Sequence, residues 1–449
     1  MAQIATKLSD PTQSFQQVTL HSNKNPGDTV SLLDGIVDFQ YFESIMSDTI
    51  RVNLIFADSG NSINDKNVLE GLPLVGQERV EIKFTDNAEN VIGDQPKLIL
   101  YVNKITPIDN KTQKSLVGLE LVSKEFIMNE KVRITKRMDG KVSDHIKTIL
   151  TSQDYLKTEK KVEVEDTINN FNFFGNNKKS FYTINWLSKK GVSAKSQKLG
   201  TSAGYFFYET SEGFFFKSID GLLEQEAKTK LIYNETPDSF GKNIPEGYDQ
   251  KVLKFNKNNN VNVQDKLKMG TFSNRTVLFD PFTCYYEVKA PITNQTEGSL
   301  KMGGKQLTLG EENRNKEFDI PGKNKDFSRT QYFLLDKGTA PTGNSDQQIE
   351  KSAEENFEYG QIANQSMMRY NQLYSMRASI TIAGNFSLHA GDAIHVDSPG
   401  LEKKNTSDID RRDGGLYIIT DICHKIDSQG TFTQCNLVRD SFGRKPPKR

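Results

Sequence analysis

Residues 1–126 alternate between apolar and polar positions with a period of two. In Ile50-Arg-Val-Asn-Leu-Ile-Phe56 the side chains of Ile50, Val52, Leu54 and Phe56 share one side of an extended chain, which commits that side to a core. Arg79-Val-Glu-Ile-Lys-Phe84 repeats the pattern after the Gly71-Leu-Pro-Leu-Val-Gly76 bend. Lys97–Asn103 and Ser115–Val122 add two strands, with Pro107-Ile-Asp-Asn110 between them as the expected turn. Successive antiparallel strands of this kind predict a barrel or a sandwich.

The period changes near residue 127. Val142, Ile146, Ile149 and Leu150 fall on one helical stripe, and Thr183–Lys190 reads as a second short helix closed by Gly191, so 127–203 is predicted to be a small mixed α/β domain. Gly204-Tyr-Phe-Phe-Tyr-Glu and Gly213-Phe-Phe-Phe-Lys217 flank a Thr210-Ser-Glu-Gly213 turn, a hairpin that is expected to open a second β domain. Residues 234–347 are rich in Asn, Lys, Gly and Pro, with strand-like stretches such as Thr283–Val288, and read as an insertion. From Asp346 to Tyr374 the period is helical: Ile349, Ala353 and Phe357 lead to Ala363, Met367, Tyr370 and Tyr374, a stripe read as core packing. Ser379–Ala383, Ala393–Val396, Leu416–Ile422 and Thr431–Val438 are strands again, expected to complete the sheet begun by the 204–217 hairpin.

Length adds a prior of about three domains for 449 residues, at roughly 150 residues each. Lys plus Arg and Asp plus Glu are 58 each, so no net field steers the chain onto nucleic acid or anionic lipid, which argues against a dedicated DNA-binding protein. The longest apolar runs, Leu98–Val102 and Leu416–Ile419, are far shorter than the roughly 18–20 residues that span a bilayer, so no stable membrane insertion is expected. The N-terminus has no apolar core of a signal peptide, and no Sec export is expected. Three cysteines fit folding in a reducing cytoplasm. Cys423 and Cys435 flank a turn at Asp427-Ser-Gln-Gly430. A two- or four-residue loop sets their sulfurs on opposite faces, whereas a three-residue loop pairs them. The basic tail Arg444–Arg449 reads as a solvated, frayed terminus.

Candidate chemistry is sparse. His389, His395 and Asp397 lie around an Ala390-Gly-Asp392 turn, but without a cysteine or a further local ligand they do not make a metal site. His424 shares a face with Ile422 and Ile426 and is expected to be half-buried and hydrogen-bonded. Neither phosphate-binding glycine loop is present, nor a Gly-x-Ser-x-Gly elbow. Glu130, Asp139 and His145 approach the Glu-x8-Asp-x5-Thr order of phage-type lysozymes, with His in place of Thr, and two carboxylates of split pKa are what glycoside cleavage needs. Against this, Asp139-Gly140 reads as the turn before the 142–150 helix. The aromatic strand Phe214–Phe216 allows a carbohydrate-binding adhesin, although its rings read as core. No catalytic, cofactor-binding or metal residue is expected, and a polar multi-domain β chain of this kind points to a structural or interaction protein rather than an enzyme.

Several stretches, in order, resemble the baseplate hub proteins of contractile-tailed bacteriophages, which are similar to the N-terminal part of type VI secretion spike proteins. They are Phe42–Gly60 with its Glu-Ser-Ile and Asp-Ser elements, Leu72–Val80, Ser180–Leu187, Tyr205–Ile219, Ile380–Val396 and Gly415–His424. The resemblance implies a mainly β chain with α+β insertions: two tube-like antiparallel β-barrel domains, at 1–126 and at 204–245 with 372–449, plus smaller domains at 127–203 and 246–371. It further implies a homotrimer whose pseudo-sixfold ring adapts the hexameric tail tube to the trimeric central spike. The implied partners are the tail tube protein, the spike, the baseplate wedge proteins and the tape measure protein, with transient passage of genomic DNA. Such a protein is assembled in the host cytoplasm and resides in the virion tail. The alternative function is a tail-associated peptidoglycan hydrolase using Glu130 and Asp139.

Overall fold

The computed structural model describes residues 14–444 apart from 26, 59, 61–65, 112–113, 196–202, 234–243, 245, 258–261, 273, 282–283, 290–299, 304–314, 319, 322–327, 335–343, 348–358, 400–408 and 411. The tail beyond Arg444, the first 13 residues and the expected helix start around Ile349, Ala353 and Phe357 lie outside the described residues. Strand at 46% against helix at 20% makes the protein mainly β.

The alternation in the first 126 residues becomes six main strands, β1 (Phe15–His21), β2 (Ile36–Ser44), β3 (Arg51–Asp58), β4 (Arg79–Thr85), β5 (Leu98–Lys111) and β6 (Lys114–Val122), with the short strands Thr29–Ser31 and Val91–Ile92 added on β1 and β4. They form one antiparallel arc in the order β1-β4-β5-β6-β3-β2. Inward-facing Val18, Leu20, Phe39, Tyr41, Val52 and Leu54 are fully buried, because alternate residues of each strand point to one side. The arc curls until β1 faces β2 across a seam of rings: Phe15 meets Phe39 at 5.2 Å between centroids, and Phe39 meets Phe84 at 5.0 Å. No ladder joins β1 to β2.

The expected turn at Pro107–Asn110 is corrected by the fold. β5 runs through it to Lys111, with bulges after Val102 and Pro107. Beyond Tyr101 the strand pairs only with β6 in the ladder, so the N–H that Pro107 lacks falls on an edge, where proline is tolerated.

The mixed domain contains the helices α1 (Lys124–Lys131), α2 (Val142–Thr151) and α3 (Ser180–Ser188), and the strand β7 (Val162–Val164). The aromatic hairpin forms as expected from β8 (Tyr205–Thr210) and β9 (Gly213–Ser218), but it pairs with β7 in a separate three-stranded sheet and does not open the large one. Both of its faces are covered. Tyr205, Phe207, Phe214 and Phe216 enter the core of the mixed domain, while Phe206, Tyr208 and Phe215 enter that of the second barrel.

The second barrel closes. Its strands are β10 (Lys230–Tyr233), β11 (Gln250–Lys257), β12 (Met376–Ala383), β13 (Ala393–Asp397), β14 (Gly415–Asp427) and β15 (Gly430–Arg439). The ring runs β14-β13-β10-β11-β12-β15 and back to β14, with β10 parallel to both of its neighbours. β11 therefore belongs to the barrel, although its surroundings of Asn and Lys had assigned it to the insertion. The turn after β14 has two residues, which sets Cys423 opposite Gln434 and Cys435 opposite Ile422; both thiols are free.

β14 joins the two barrels. One of its edges pairs with β15 along almost its whole length. The other edge is divided: Gly415–Ile418 pair with β13 and close the second barrel, whereas Asp421–Asp427 pair with Ser44–Asp38 of β2. The division falls at Ile419 and Thr420, where the β14–β15 register also shifts and Ile45 N–H donates to the Thr420 carbonyl at 2.9 Å.

The insertion carries a three-stranded sheet in the order Tyr285–Lys289, Asn274–Asp280, Arg329–Leu334, packed against the helix α4 (Tyr359–Leu373).

Candidate assembly interface

Two buried polar clusters tie the parts of the chain together where they meet. Alternation along β2 turns Tyr41 and Glu43 inward, toward the point where the barrels and the hairpin meet. The Glu43 carboxylate accepts from Tyr41 Oη at 2.7 Å, from the Ser211 N–H of the hairpin turn at 2.9 Å and from the Ala390 N–H of the second barrel at 3.0 Å. His389 Nδ1 lies 3.1 Å away. Burial alone raises a carboxyl pKa, but the charge and hydrogen bond of His389 outweigh it and hold Glu43 below its usual range. The same partnership raises the His389 pKa against its own burial.

The second cluster centres on Glu209 of the hairpin. It accepts from the Ile50 N–H at 3.1 Å and from Ser123 Oγ at 2.6 Å, both in the first barrel region. Lys160 donates to it at 2.5 Å and to Glu125 at 3.1 Å, and the two carboxylates keep that ammonium charged despite burial. Each carboxylate is thus spent on groups from three separate chain segments. Such clusters cost desolvation but fix geometry, because a shifted partner leaves a charge buried and unpaired.

The residues weighed for catalysis are not brought together. Glu130, on α1, is exposed and paired with Lys179 at 2.5 Å. Asp139 receives Arg137 Nε and Nη2 at 2.8 and 2.7 Å. His145 is buried, its Nε2 2.8 Å from the Phe171 carbonyl, and burial lowers its pKa. His395 sits 2.9 Å from Asp397, which also takes Tyr248 Oη at 2.6 Å and Arg444 at 2.7 Å, while His389 turns away to Glu43. Among the described residues no group of three His, Cys, Asp or Glu is placed to hold a metal ion. His424 is hydrogen-bonded as expected but fully rather than half buried: it lies between Thr433 Oγ1 at 3.0 Å and the Leu388 carbonyl at 3.2 Å, and burial lowers its pKa to about 4.

Across β2, β14, β15, β12 and β11 the outward face is mostly polar, Phe42 and Cys423 being its apolar members. Ser44, Lys254, Thr381, Asp421, Gln434 and Asn436 line a shallow groove of about 490 Å³ that crosses the junction of the barrels. Ser44 Oγ and Asn436 Nδ2 both donate to Asp421, at 2.6 and 3.2 Å. Sequence reasoning missed this surface because it needs the β2–β14 pairing, which joins residues 377 apart in the chain. Among the described residues no helix is long and apolar enough to cross a membrane.

No protein-family model matches the sequence, and no curated protein matches it. Solved structures do. The 43 kDa tail protein of prophage MuSo2 from Shewanella oneidensis superposes with a TM-score of 0.50 at 8% identity, over 95% of this chain and 98% of that one. The tail protein from Neisseria meningitidis MC58 does so with a TM-score of 0.50 at 7% identity, over 94% and 96%. At such identities the agreement speaks for the fold. Sequence resemblance and backbone geometry therefore meet at one conclusion: this chain has the fold of phage tail proteins.

Proposed function

We propose that the protein is a structural component of a phage tail, the hub at the centre of a baseplate. In this reading three copies form a pseudo-sixfold ring that adapts the hexameric tail tube to a trimeric central spike, with the wedge proteins around it and the tape measure protein above. The observation that supports it most is the fold agreement along nearly the full length of both chains. The fusion of the barrels through β14 fits the same role, since a ring of six barrel positions built from three chains needs each pair of barrels held at a fixed angle. The four-part division, with the hairpin shared between the mixed domain and the second barrel, belongs to the proposal.

The polar outward face across the barrel junction is the surface we assign to the channel through which DNA passes. Beside one ammonium, Lys254, and one carboxylate, Asp421, its Ser, Thr, Asn and Gln side chains are uncharged, and so balanced a lining suits transit of phosphates rather than retention. We assign no enzymatic activity, because Glu130 and Asp139 are each occupied by a neighbouring cation. The test is the mass of the purified chain by light scattering over a range of concentrations, with negative-stain class averages of the same peak. A threefold ring with a sixfold outline is the expected result. A stable assembly of any other symmetry overturns the reading.

A further inference from the structure

The three-stranded sheet of the insertion has two faces with opposite fates. Register places Asn274, Thr276 and Leu278 of the central strand on the inner face together with Gln331. That face is covered: Thr276 Oγ1 bonds Asn364 of α4, Asn274 Nδ2 donates to the Asn364 carbonyl at 3.3 Å, and Gln331 contacts Met367. The outer face is formed by the intervening positions, Phe279 opposite Tyr286 and Leu334, and Val277 opposite Val288 and Tyr332. Here Phe279 is 41% exposed, Tyr286 65%, Val288 45%, Tyr332 76% and Leu334 65%. The alternation is therefore inverted. Leu278 aside, the polar residues of the central strand's inner face point into the molecule, and the large apolar ones of the outer face point out of it.

We propose that this outer face docks a second copy of the chain; the inference rests on the ring reading above and names one of its contacts. Aromatic side chains carry roughly 150–250 Å² each, so Phe279, Tyr286 and Tyr332 at these exposures present on the order of 350 Å², which Val288 and Leu334 extend. That is the size of the largest patch of an ordinary monomer, roughly 300–600 Å². It supplies about half of the roughly 800 Å² that each partner contributes to a stable interface of standard size and suits the apolar centre of one. Charge favours a copy as occupant. The chain has 58 positive and 58 negative side chains, so copies carry no net repulsion, and the five residues themselves are uncharged. The composition suits a contact centre, because Tyr supplies a large apolar body and a hydroxyl that stays hydrogen-bonded when covered.

The test compares the full chain with two surface variants, Tyr332→Asp combined with Leu334→Asp, and Tyr286→Asp on the opposite edge strand. Val75→Asp, at a site 84% exposed in the first barrel, is the control. Association is followed by light scattering across concentration, with class averages of each peak. The proposal expects both variants to associate at least about 30-fold more weakly than the wild type, as for the loss of a contact centre, and the control to be unchanged. Variants that assemble as well as the wild type overturn it and leave the ring reading standing. A wild type that stays monomeric at every concentration also overturns it, because the face then takes no second copy. If the variants dissociate an assembly that is not threefold, the docking face stands and the ring reading fails.

Discussion

The two barrels are each built on six main strands and close by different means. The second is sealed by backbone hydrogen bonds all the way round, β15 returning to β14. The first ends in a seam where no ladder joins β1 to β2 and the rings of Phe15, Phe39 and Phe84 pack, the edge of β1 taking the short strand Thr29–Ser31 instead. The cause is arithmetic of edges. A strand has two, and β2 uses one for β3 and the other for β14, so none remains for β1. β14 escapes the same limit by length, dividing one edge between β13 and β2. Fusing two barrels into one rigid unit thus opens one of them, and aromatic packing takes over where the ladder is missing.

The sharpest way to break this arrangement is at the meeting point of the barrels. Glu43→Leu leaves His389, Tyr41 and two backbone N–H groups buried without their acceptor and is expected to cost about 5 kcal/mol in chemical denaturation. Loss of cooperativity between the barrels should accompany it. Phe39→Ala tests the seam itself. It should cost about 4 kcal/mol and raise hydrogen exchange in β1, whereas Leu437→Ala in the closed barrel, costing about 3 kcal/mol, should leave its ladder protected. Equal exchange in both variants would remove the distinction between the two closures.

A pH series sharpens the comparison further. His424 has a folded pKa of about 4 against an ordinary 6.5, so the unfolded chain takes up the proton first as pH falls. The stability it supports is complete above about pH 6.5 and is lost between there and pH 4, by up to roughly 3 kcal/mol. His389 has the opposite sign. Its raised pKa supports the fold below about 6.5, and that support fades as pH rises through the folded value. Denaturation midpoints of His424→Gln and His389→Gln across pH 4–8 should therefore depart from the wild type at opposite ends. The smallest effect belongs to Glu130→Gln, which removes an exposed pair with Lys179 and should change stability by less than about 0.5 kcal/mol. A zymogram on purified cell wall should show no clearing for either form, and clearing abolished by Glu130→Gln would restore the hydrolase reading.

Much of the local structure is legible in the sequence. The period-two strands from Ile50 to Val122, the α2 stripe and the aromatic hairpin follow from alternation and turn residues, which act over a few positions, whereas the faces of Cys423 and Cys435 hang on a turn length that only the structure supplies. Pairing is less legible. The hairpin reads as apolar at almost every position, and that run signals a strand covered on both faces rather than the edge of a barrel sheet. β11 hides among Asn and Lys because a bulge between Val252 and Lys254 breaks its alternation. The union of β2 with β14 leaves no local trace, since each strand shows the same alternation whichever neighbour takes its edge. The polar clusters around Glu43 and Glu209 are invisible for a related reason: their members come from distant segments, and none stands out by type.

The division of β14 also sets a timetable. Ser44 and its partner Asp421 are separated by 377 residues, which a ribosome adding about 5–20 residues per second takes roughly 20–75 s to cover. Throughout that interval the first barrel can curl around its ring seam, yet the second edge of β2 stays bare, the kind of surface that recruits foreign strands. A nascent chain of this protein is most vulnerable before Asp421–Asp427 emerge, and a fragment ending short of residue 415 carries that vulnerability for its lifetime.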